Sequence, residues 1–330
     1  MSQETAVYLH QPGDASSLQT VAIDLPLPCA GEVRVRHTAI GVNFVDVYHR
    51  IGLYPLPPLP VVLGVEAAGV VEALGNGVEG LAIGDRVAYA GPPVGAYASA
   101  RNVDASRLLP IPPHVADHQV AGALLRGITA HMLFEYVRPV RHGDTVLVQS
   151  AAGGLGQILG QWGSSLGARM IGTVGSAAKG KTALRRGYTD VIPYKERDFV
   201  AEAMSLTEGC GVDFAIDGVG GETLLKTLQT VRPFGLAASI GQAGVAGNED
   251  RAHIPLSALG PSRSIALARP GVFRFMSDPA RYREGAQATL ERLAKGLSVD
   301  VAAALPLQQA GEAHRLLETG QSAGAILLHP

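Results

Sequence analysis

From Thr145 to Gln242 the chain repeats one pattern: a short apolar run, a turn, then a stretch with apolar residues at helical spacing. TVLVQS is followed by LGQILGQWGSSLG, RMIGTVG by KGKTALRRG, and VDFAIDGVG by ETLLKTLQTV; DVIPY and GLAASIGQ supply further strands. Strands this short and this uniformly apolar are covered on both faces, and the intervening helices supply the cover, so the pattern predicts a parallel sheet. Right-handed crossovers then make it an open, doubly wound α/β sheet.

A glycine cluster, AAGGLG, stands between the first of these strands and its helix. Ala151-x-Gly153-x-x-Gly156 has the spacing of the dinucleotide fingerprint, with alanine in first place. Gly153 has no Cβ to hold a pyrophosphate away, Gly156 lets helix and sheet approach, and the helix N-terminus offers free N–H groups and a favourable dipole. Alanine in the first position is tolerable where its φ stays negative. A well-packed turn with no ligand is the competing explanation. The strand before it, the helix after it and the continuing βαβ unit favour the phosphate.

An NAD site commonly carries Asp or Glu at the end of the second strand. Here that end reads Thr173-Val174-Gly175-Ser176-Ala177-Ala178-Lys179, with no acid. Gly175 offers room, Ser176 a donor and Lys179 a charge for a 2′-phosphate, and Tyr194 at the third strand's end is placed to join them. The cofactor expected is NADPH rather than NADH. Lys179 also suits an ordinary surface lysine, although one at the positive end of a helix is poorly placed without an anion.

The earlier part differs. ETAVYLH, GEVRVRHTAIGV, AAGVVEAL and GDRVAYAG are β-branched runs broken by Gly, Pro and Asp, and predict an irregular, mostly β domain. Pro55, Pro57, Pro58 and Pro60 make GLYPLPPLP a rigid loop ahead of a strand. HQVAGALLRGITAHMLFEYV is helical in period and is expected to break at glycine. After Arg251 a helix, a strand, a proline turn, a helix and the terminal strand AILLH are expected partly to complete the parallel sheet and partly to return to the first domain. The chain of 330 residues exceeds what one core usually organises, so two domains are expected.

Twenty-seven basic against 29 acidic residues leave a net charge of −2, which argues against nucleic acid or an acidic membrane as main partner. The first residues show no secretory leader, and no apolar run is long enough to span a bilayer, so a cytoplasmic location is expected. Cys29 and Cys210 are too few for a disulfide framework or a four-thiolate zinc site, and the histidines show no ligand spacing. No metal is expected. Glu66, the one carboxylate in the apolar run LGVEAAG, is read as a hydrogen-bonded acid tying backbone at a domain boundary.

Taken with GVNFVDVYHRIGLYP, LPVVLGVEAAGVVEALGNGV, LLRGITAHMLF, SAAGGLGQ, GTVGSAAKGKTAL, VIPYKERD and FAIDGVGG, the whole chain resembles the zinc-free quinone oxidoreductases of the medium-chain dehydrogenase/reductase superfamily. Zinc-containing relatives carry Gly-His-Glu where this chain has Gly64-Val65-Glu66. The resemblance implies a GroES-like catalytic domain (1–125 and 266–330) and a Rossmann nucleotide domain (126–265). It implies that Asn43 and Tyr48 line the nicotinamide and substrate cleft, and that Thr129 contacts the cofactor. It places Gly153, Gly154, Leu155 and Gly156 at the pyrophosphate, and Gly175, Ser176, Lys179 and Tyr194 at the 2′-phosphate. Tyr54 matches the proton donor of related enoyl thioester reductases. Ile240, Gly241 and Gln242 stand where some relatives have Phe-Gly-Asn near the nicotinamide.

The activity implied is direct hydride transfer from NADPH to a quinone, whose reduced form is aromatic and which therefore needs no Lewis acid. The resemblance further implies a homodimer joined edge to edge through the nucleotide domains; the run from Gly260 to Leu267 suits a dimer-edge strand or an interior one. An enoyl or enone reductase of the same fold is the alternative. A non-enzymatic NADPH-binding protein is a more distant one.

Overall fold

The structure is a computed structural model in which residues 3–244 and 254–330 are described. The chain divides into two compact units, 1–125 with 286–330, and 126–285.

The first unit opens with β1 (Gln3–Leu9), β2 (Leu18–Asp24), β3 (Glu32–Val42), α1 (Phe44–Arg50) and β4 (Val61–Val62). It continues through β5 (Glu66–Leu74), β6 (Arg86–Ala90), β7 (Ala100–Asp104) and β8 (Leu109–Pro110) into α2 (Asp117–His131), whose second part belongs to the other unit. In the second unit come β9 (Thr145–Val148), α3 (Gly154–Ser165), β10 (Arg169–Val174), α4 (Ala177–Arg185), β11 (Asp190–Pro193) and α5 (Phe199–Leu206). After them stand β12 (Val212–Asp217), α6 (Gly221–Gln229), β13 (Val231–Ser239), β14 (Ala266–Ala268), α7 (Val272–Met276) and α8 (Pro279–Ala294), whose part from Ala286 onward belongs to the first unit. The returning segment adds β15 (Val301–Pro306), α9 (Ala310–Glu318) and β16 (Ala325–His329) to the first unit.

The second unit is the doubly wound sheet that the alternation demands. Its strand order is β11-β10-β9-β12-β13-β14, and every ladder is parallel. The order reverses between β9 and β12, which lie side by side; at such a switch point the loops leaving the carboxyl ends diverge and open a crevice for a ligand. Leu147, Ile171, Ile192, Ala215, Leu228 and Ala237 form its apolar core.

In the first unit β16 pairs antiparallel with β3, Ile326 opposite Val42, and β15 runs parallel to β16. Leading and returning segments thereby share one core, in which Leu9, Val33, Ile40, Leu63, Leu307 and Leu328 are fully buried. Each such side chain contributes about 1.5–3 kcal/mol of transfer free energy.

Two expectations from the sequence need correction. α2 does not break at Gly122 or Gly127 but continues to His131 and then widens into a π turn over Met132–Val137. A Cβ on Gly122 would meet Val299 and Ala325 at 3.1 and 3.2 Å, so that glycine serves close packing rather than a break. The return to the first unit lies at 286 rather than 266, because β14 extends the parallel sheet beside β13.

Three histidines of the first unit, His37, His49 and His314, are buried and held neutral by desolvation. His37 hydrogen-bonds Ala98 O (2.7 Å) through Nδ1 and Tyr89 Oη (2.9 Å) through Nε2. Arg50 can only donate, so His314 Nδ1 accepts from it (3.3 Å) and Nε2–H faces Tyr97 Oη (3.0 Å). Tyr97 Oη–H in turn donates to Asp46 Oδ2 (3.1 Å) on α1. Desolvation holds His37 down to about 4 and His314 down to about 3, against 6.5 for a free imidazole. Below pH 6.5 the unfolded chain binds protons that the folded chain refuses, so stability falls as pH drops from 6.5 toward 4. Each histidine contributes up to about 1.4 kcal/mol per pH unit in that window. Urea midpoints that stay level between about pH 7.5 and about pH 5 would show the imidazoles charging in place.

Candidate functional site

The tyrosine loop of the first unit begins at the end of β3. Asn43 caps α1: its backbone N–H donates to Asp46 Oδ2 (2.8 Å), one turn ahead. Its side-chain Nδ2 donates to Glu66 Oε2 (2.8 Å), and Glu66 Oε1 accepts from the Leu125 N–H of α2 (2.7 Å). Glu66 is wholly buried and accepts only, so Asn43 must turn its amide nitrogen toward Glu66 and its oxygen away. The expectation that Glu66 is an acid tying backbone describes what it does. Val65 beside it is fully buried. Among the described residues no cluster of three or more His, Cys, Asp or Glu side chains is placed to hold a metal ion.

Tyr48 lies buried on α1, and Tyr54 follows it in the proline-bounded loop, half-buried. Their ring centroids are 5.1 Å apart, and the Tyr54 N–H donates to Tyr48 O (3.1 Å). Two phenols are therefore held in one place by a short backbone turn.

In the second unit the fingerprint turn joins β9 to α3. Ser150 adopts φ 58°, so the left-handed residue is the serine and not Ala151. Gly153 caps α3 with extended backbone, φ −71° and ψ 169°. A Cβ on Gly156 would lie 2.5 Å from Ser150 O and 2.6 Å from Ala151 O, whereas one on Gly153 would meet only Ser150 O, at 3.2 Å. Gly156 is thus a packing glycine and Gly153 faces open space. Leu155, between them, is half-buried in the first turn of α3.

At the end of β10, Gly175 lies under Tyr194: a Cβ there would be 3.1 Å from the Tyr194 hydroxyl. Ser176 caps α4, its Oγ accepting from the Lys179 N–H (3.4 Å). Burial, and next the charge of Lys195, hold the Lys179 ammonium below the usual lysine value. These four residues gather at the carboxyl edge of β10 and β11, with no acid in the first turn of α4. Thr129 lies on α2, one turn past Arg126. Ile240 follows β13, its N–H donating to Asp217 O (2.8 Å), and Gln242 lies in the next turn, where the Ala243 N–H donates to Gly218 O (3.2 Å).

Three features at this edge carry no sequence motif. Arg126 packs on Gly154, and Lys195 adds a second cation near Lys179. A buried chain of hydrogen bonds runs from Thr173 through Gln149 and Thr227 to Asp217, whose other oxygen accepts from Val219 and Gly220 N–H. It ties together the ends of β9, β10 and β12. Burial raises the Asp217 carboxyl above its usual range. The arrangement offers two anion positions, one at the start of α3 and one at the start of α4.

Two family descriptions match the chain: alcohol dehydrogenase GroES-like domain over residues 29–113, and zinc-binding dehydrogenase over residues 154–300. The quinone oxidoreductase of Salmonella typhimurium is 38% identical over 331 residues, covering 99% of each chain. The 2-haloacrylate reductase of a Burkholderia species is 37% identical over 332 residues, covering 98% of each. The solved structure of Escherichia coli quinone oxidoreductase complexed with NADPH matches with a TM-score of 0.93 at 35% identity, across 99% of this chain and 100% of that one. Full-length similarity of this order, together with valine in place of the zinc-binding histidine, leads to one conclusion: the chain belongs to the zinc-independent quinone oxidoreductase family of the medium-chain dehydrogenase/reductase superfamily.

Proposed function

We propose that the protein is an NADPH-dependent quinone reductase working without a metal. The observation that carries the cofactor is the edge of β10 and β11, where the Ser176 hydroxyl accepts from the Lys179 N–H, the Tyr194 hydroxyl lies over Gly175, and the first turn of α4 holds no acid. Such a set accepts a 2′-phosphate and lacks the carboxylate that commonly holds a bare pair of ribose hydroxyls. Gly153 leaves open the space a pyrophosphate needs. The residues present thus fit NADPH, and the solved relative complexed with NADPH supports the assignment.

Bound there, NADPH supplies a hydride from its nicotinamide. The chain's own part is to bind, orient and exclude water. We assign Gly153, Gly154, Leu155 and Gly156 to the pyrophosphate. To the nicotinamide half we assign Asn43, Thr129, Ile240 and Gln242. Asn43 serves with its amide oxygen, the orientation Glu66 imposes. To the acceptor we assign Tyr48 and Tyr54, each with a phenol able to donate a hydrogen bond or proton to the reduced oxygen.

Tyr48→Phe and Tyr54→Phe are each expected to lower kcat with quinones by less than about tenfold, because two phenols and water share the task; an obligatory acid contributes about 10²–10⁴-fold. A collapse of kcat in either variant at unchanged NADPH affinity would make that tyrosine an essential acid. The test of the function itself is NADPH consumption in metal-free buffer with benzoquinone-type acceptors, and no turnover of any of them would sink it.

A second reading has its own support. The similarity to a 2-haloacrylate reductase favours reduction of an activated C=C bond. In that reaction carbon is protonated after hydride addition, and Tyr54→Phe would then be severe. Enone and 2-haloacrylate acceptors beside the quinones decide between the two.

We also infer a homodimer and a cytoplasmic setting. β14 forms one of the two edges of the parallel sheet among the described residues, a place where a second sheet can join. Sedimentation at monomer mass would exclude the dimer. Both cysteines are exposed free thiols, which suits a reducing compartment, and among the described residues no helix is long and apolar enough to cross a membrane. Recovery of the protein in a secreted fraction would contradict the setting.

A further inference from the structure

The helix that carries Tyr48 is too short to hold itself. α1 runs for 7 residues, Phe44–Arg50, and an isolated helix shorter than about 12–15 residues is marginal in water. The Tyr48 carbonyl accepts from the N–H groups of both Leu53 (2.9 Å) and Tyr54 (3.1 Å), so the Tyr54 loop hangs from this helix. Any tilt or slide of α1 therefore moves both phenols together. In place of intrinsic stability, α1 has an anchor at each end.

At its C-terminal end, Arg50 is buried and faces α9. The guanidinium donates to both Glu318 oxygens (3.1 and 2.5 Å) and to His314 Nδ1 (3.3 Å), two residues one helical turn apart. At the N-terminal end, Asp46 Oδ2 accepts from the Asn43 N–H (2.8 Å) and from Tyr97 Oη (3.1 Å). His314 Nε2–H, 3.0 Å from Tyr97 Oη, joins the two anchors. Every donor points the same way, from Arg50 through His314 and Tyr97 to Asp46. The imidazole tautomer is thereby fixed, and the bonds polarise one another in one sense. His314, Tyr97 and Asp46 are all fully buried. Gly64, at φ 88°, keeps the space free, since a Cβ there would overlap the Tyr97 ring. Apolar side chains of similar volume fill such a place with no desolvation cost, so a polar run here suits fixing a geometry better than adding stability.

We propose that Tyr97 and His314 are positioning residues for reduction of the acceptor: they hold α1 in the pose that presents the Tyr48 and Tyr54 phenols. Wholly buried, they act through Asp46 and Arg50 at the two ends of the helix. The segment that returns to the first unit near the end of the chain thus sets the geometry of a loop near its beginning. This rests on the assignment of the two phenols to the acceptor made above. The residues assigned to the 2′-phosphate belong to the other unit, so the grip on that phosphate is independent of the run.

Steady-state kinetics with NADPH and a benzoquinone-type acceptor test this in Tyr97→Phe, His314→Leu and His314→Gln, each alone and in a Tyr48→Phe/Tyr54→Phe background. Folded sites are counted by NADPH titration, and kcat is expressed per site. Tyr97→Phe and His314→Leu are expected to lower kcat by about 3- to 10-fold and to keep NADPH affinity within about twofold of wild type. His314→Gln, whose amide oxygen accepts from Arg50 and whose amide nitrogen donates to Tyr97, is expected to restore most of that kcat. Without the two phenols there is nothing left to present, so in that background Tyr97→Phe and His314→Leu should each cost less than about twofold more. Should His314→Leu fail to fold, Tyr97→Phe, which removes a single oxygen, carries the test alone. A run that only props the fold lowers the melting temperature and leaves kcat per folded site at the wild-type value, and that result overturns the proposal. So does the same proportional loss of kcat with and without the phenols. A Tyr48→Phe/Tyr54→Phe enzyme that keeps wild-type kcat instead removes the assignment of the phenols themselves, and this proposal with it.

Discussion

Gly156→Ala is expected to destabilise the folded protein by about 2 kcal/mol and to reduce NADPH affinity by about 100-fold or more. The added Cβ would come within 2.5 Å of Ser150 O, 2.6 Å of Ala151 O and 2.7 Å of Ala151 C, all backbone atoms of the turn that carries the phosphate. No flexible side chain is there to yield, so the turn itself must move. Ser150 already holds φ 58°, its N–H reaches Thr173 Oγ1 (3.3 Å), and the Ala151 N–H is bound to Thr173 O (3.0 Å). A shift would loosen that anchorage and tilt the first N–H groups of α3. Gly153→Ala is the control. Its backbone is acceptable to alanine and its one close neighbour is Ser150 O at 3.2 Å, so stability should change by less than about 1 kcal/mol. Binding should still fall, because the methyl group enters the phosphate's space. Urea unfolding without cofactor, followed by fluorescence titration with NADPH, reads both effects. Equal stability of wild type and Gly156→Ala, or full affinity in Gly153→Ala, would contradict this division of roles.

Glu66→Ala is expected to cost about 3 kcal/mol or more in the first unit. It removes the acceptor for two donors, the Asn43 amide and the Leu125 N–H, each of which would stay unsatisfied at about 1–3 kcal/mol. The site cannot refill easily. A Cβ on Gly41 would come within 2.6 Å of Glu66 Oε2, so this carboxylate occupies space that a glycine across the sheet keeps free. Glu66→Gln retains one acceptor and presents an N–H to the other donor, so it should lose roughly half as much. The Asn43 amide would also be released to flip, and kcat should drop while affinity for 2′-AMP holds, since Lys179 belongs to the other unit. Denaturation midpoints of Glu66→Ala within about 1 kcal/mol of wild type would falsify this account. The variant also separates two roles. Zinc-containing relatives keep glutamate beside a metal histidine, whereas here Val65 has replaced the histidine and both Glu66 oxygens are engaged in hydrogen bonds.

Much of the cofactor end is legible in the order of residues. Strand, glycine turn and helix are neighbours along the chain, and Gly153, Gly156, Gly175, Ser176 and Lys179 lie within a βαβ unit whose geometry is largely local. The missing carboxylate after Val174 is equally plain there, because the residues that follow such a strand's end are the ones that face the ligand. Glu66 is legible as a satisfied acid, since a carboxylate in an apolar run has few other options. Lys195 has a signal too, standing next to Tyr194, but which way it points depends on how β11 ends.

Other features are misleading or silent along the chain. Gly122 and Gly127 resemble helix breaks, since glycine in a helix interior costs about 1 kcal/mol relative to alanine. The approach of Val299 and Ala325 to Gly122 outweighs that cost. Arg126 looks like any arginine in a helix, because Gly154 comes near it only after α2 and α3 have packed. Arg50 and His314 stand 264 residues apart in the chain and meet at 3.3 Å.

The line between these two groups has a physical origin. Periodicity, turn chemistry and capping act between residues a few positions apart, so the alternation from Thr145 onward and the phosphate turn are written in the order of the amino acids. Whether a buried charge finds a partner depends on which strands lie side by side and in what register, and that follows from burying apolar surface over the whole domain. Arg126 against Gly154, Glu66 between Asn43 and Leu125, and His314 between Arg50 and Tyr97 are products of that closure, decided only when distant segments pack against one another.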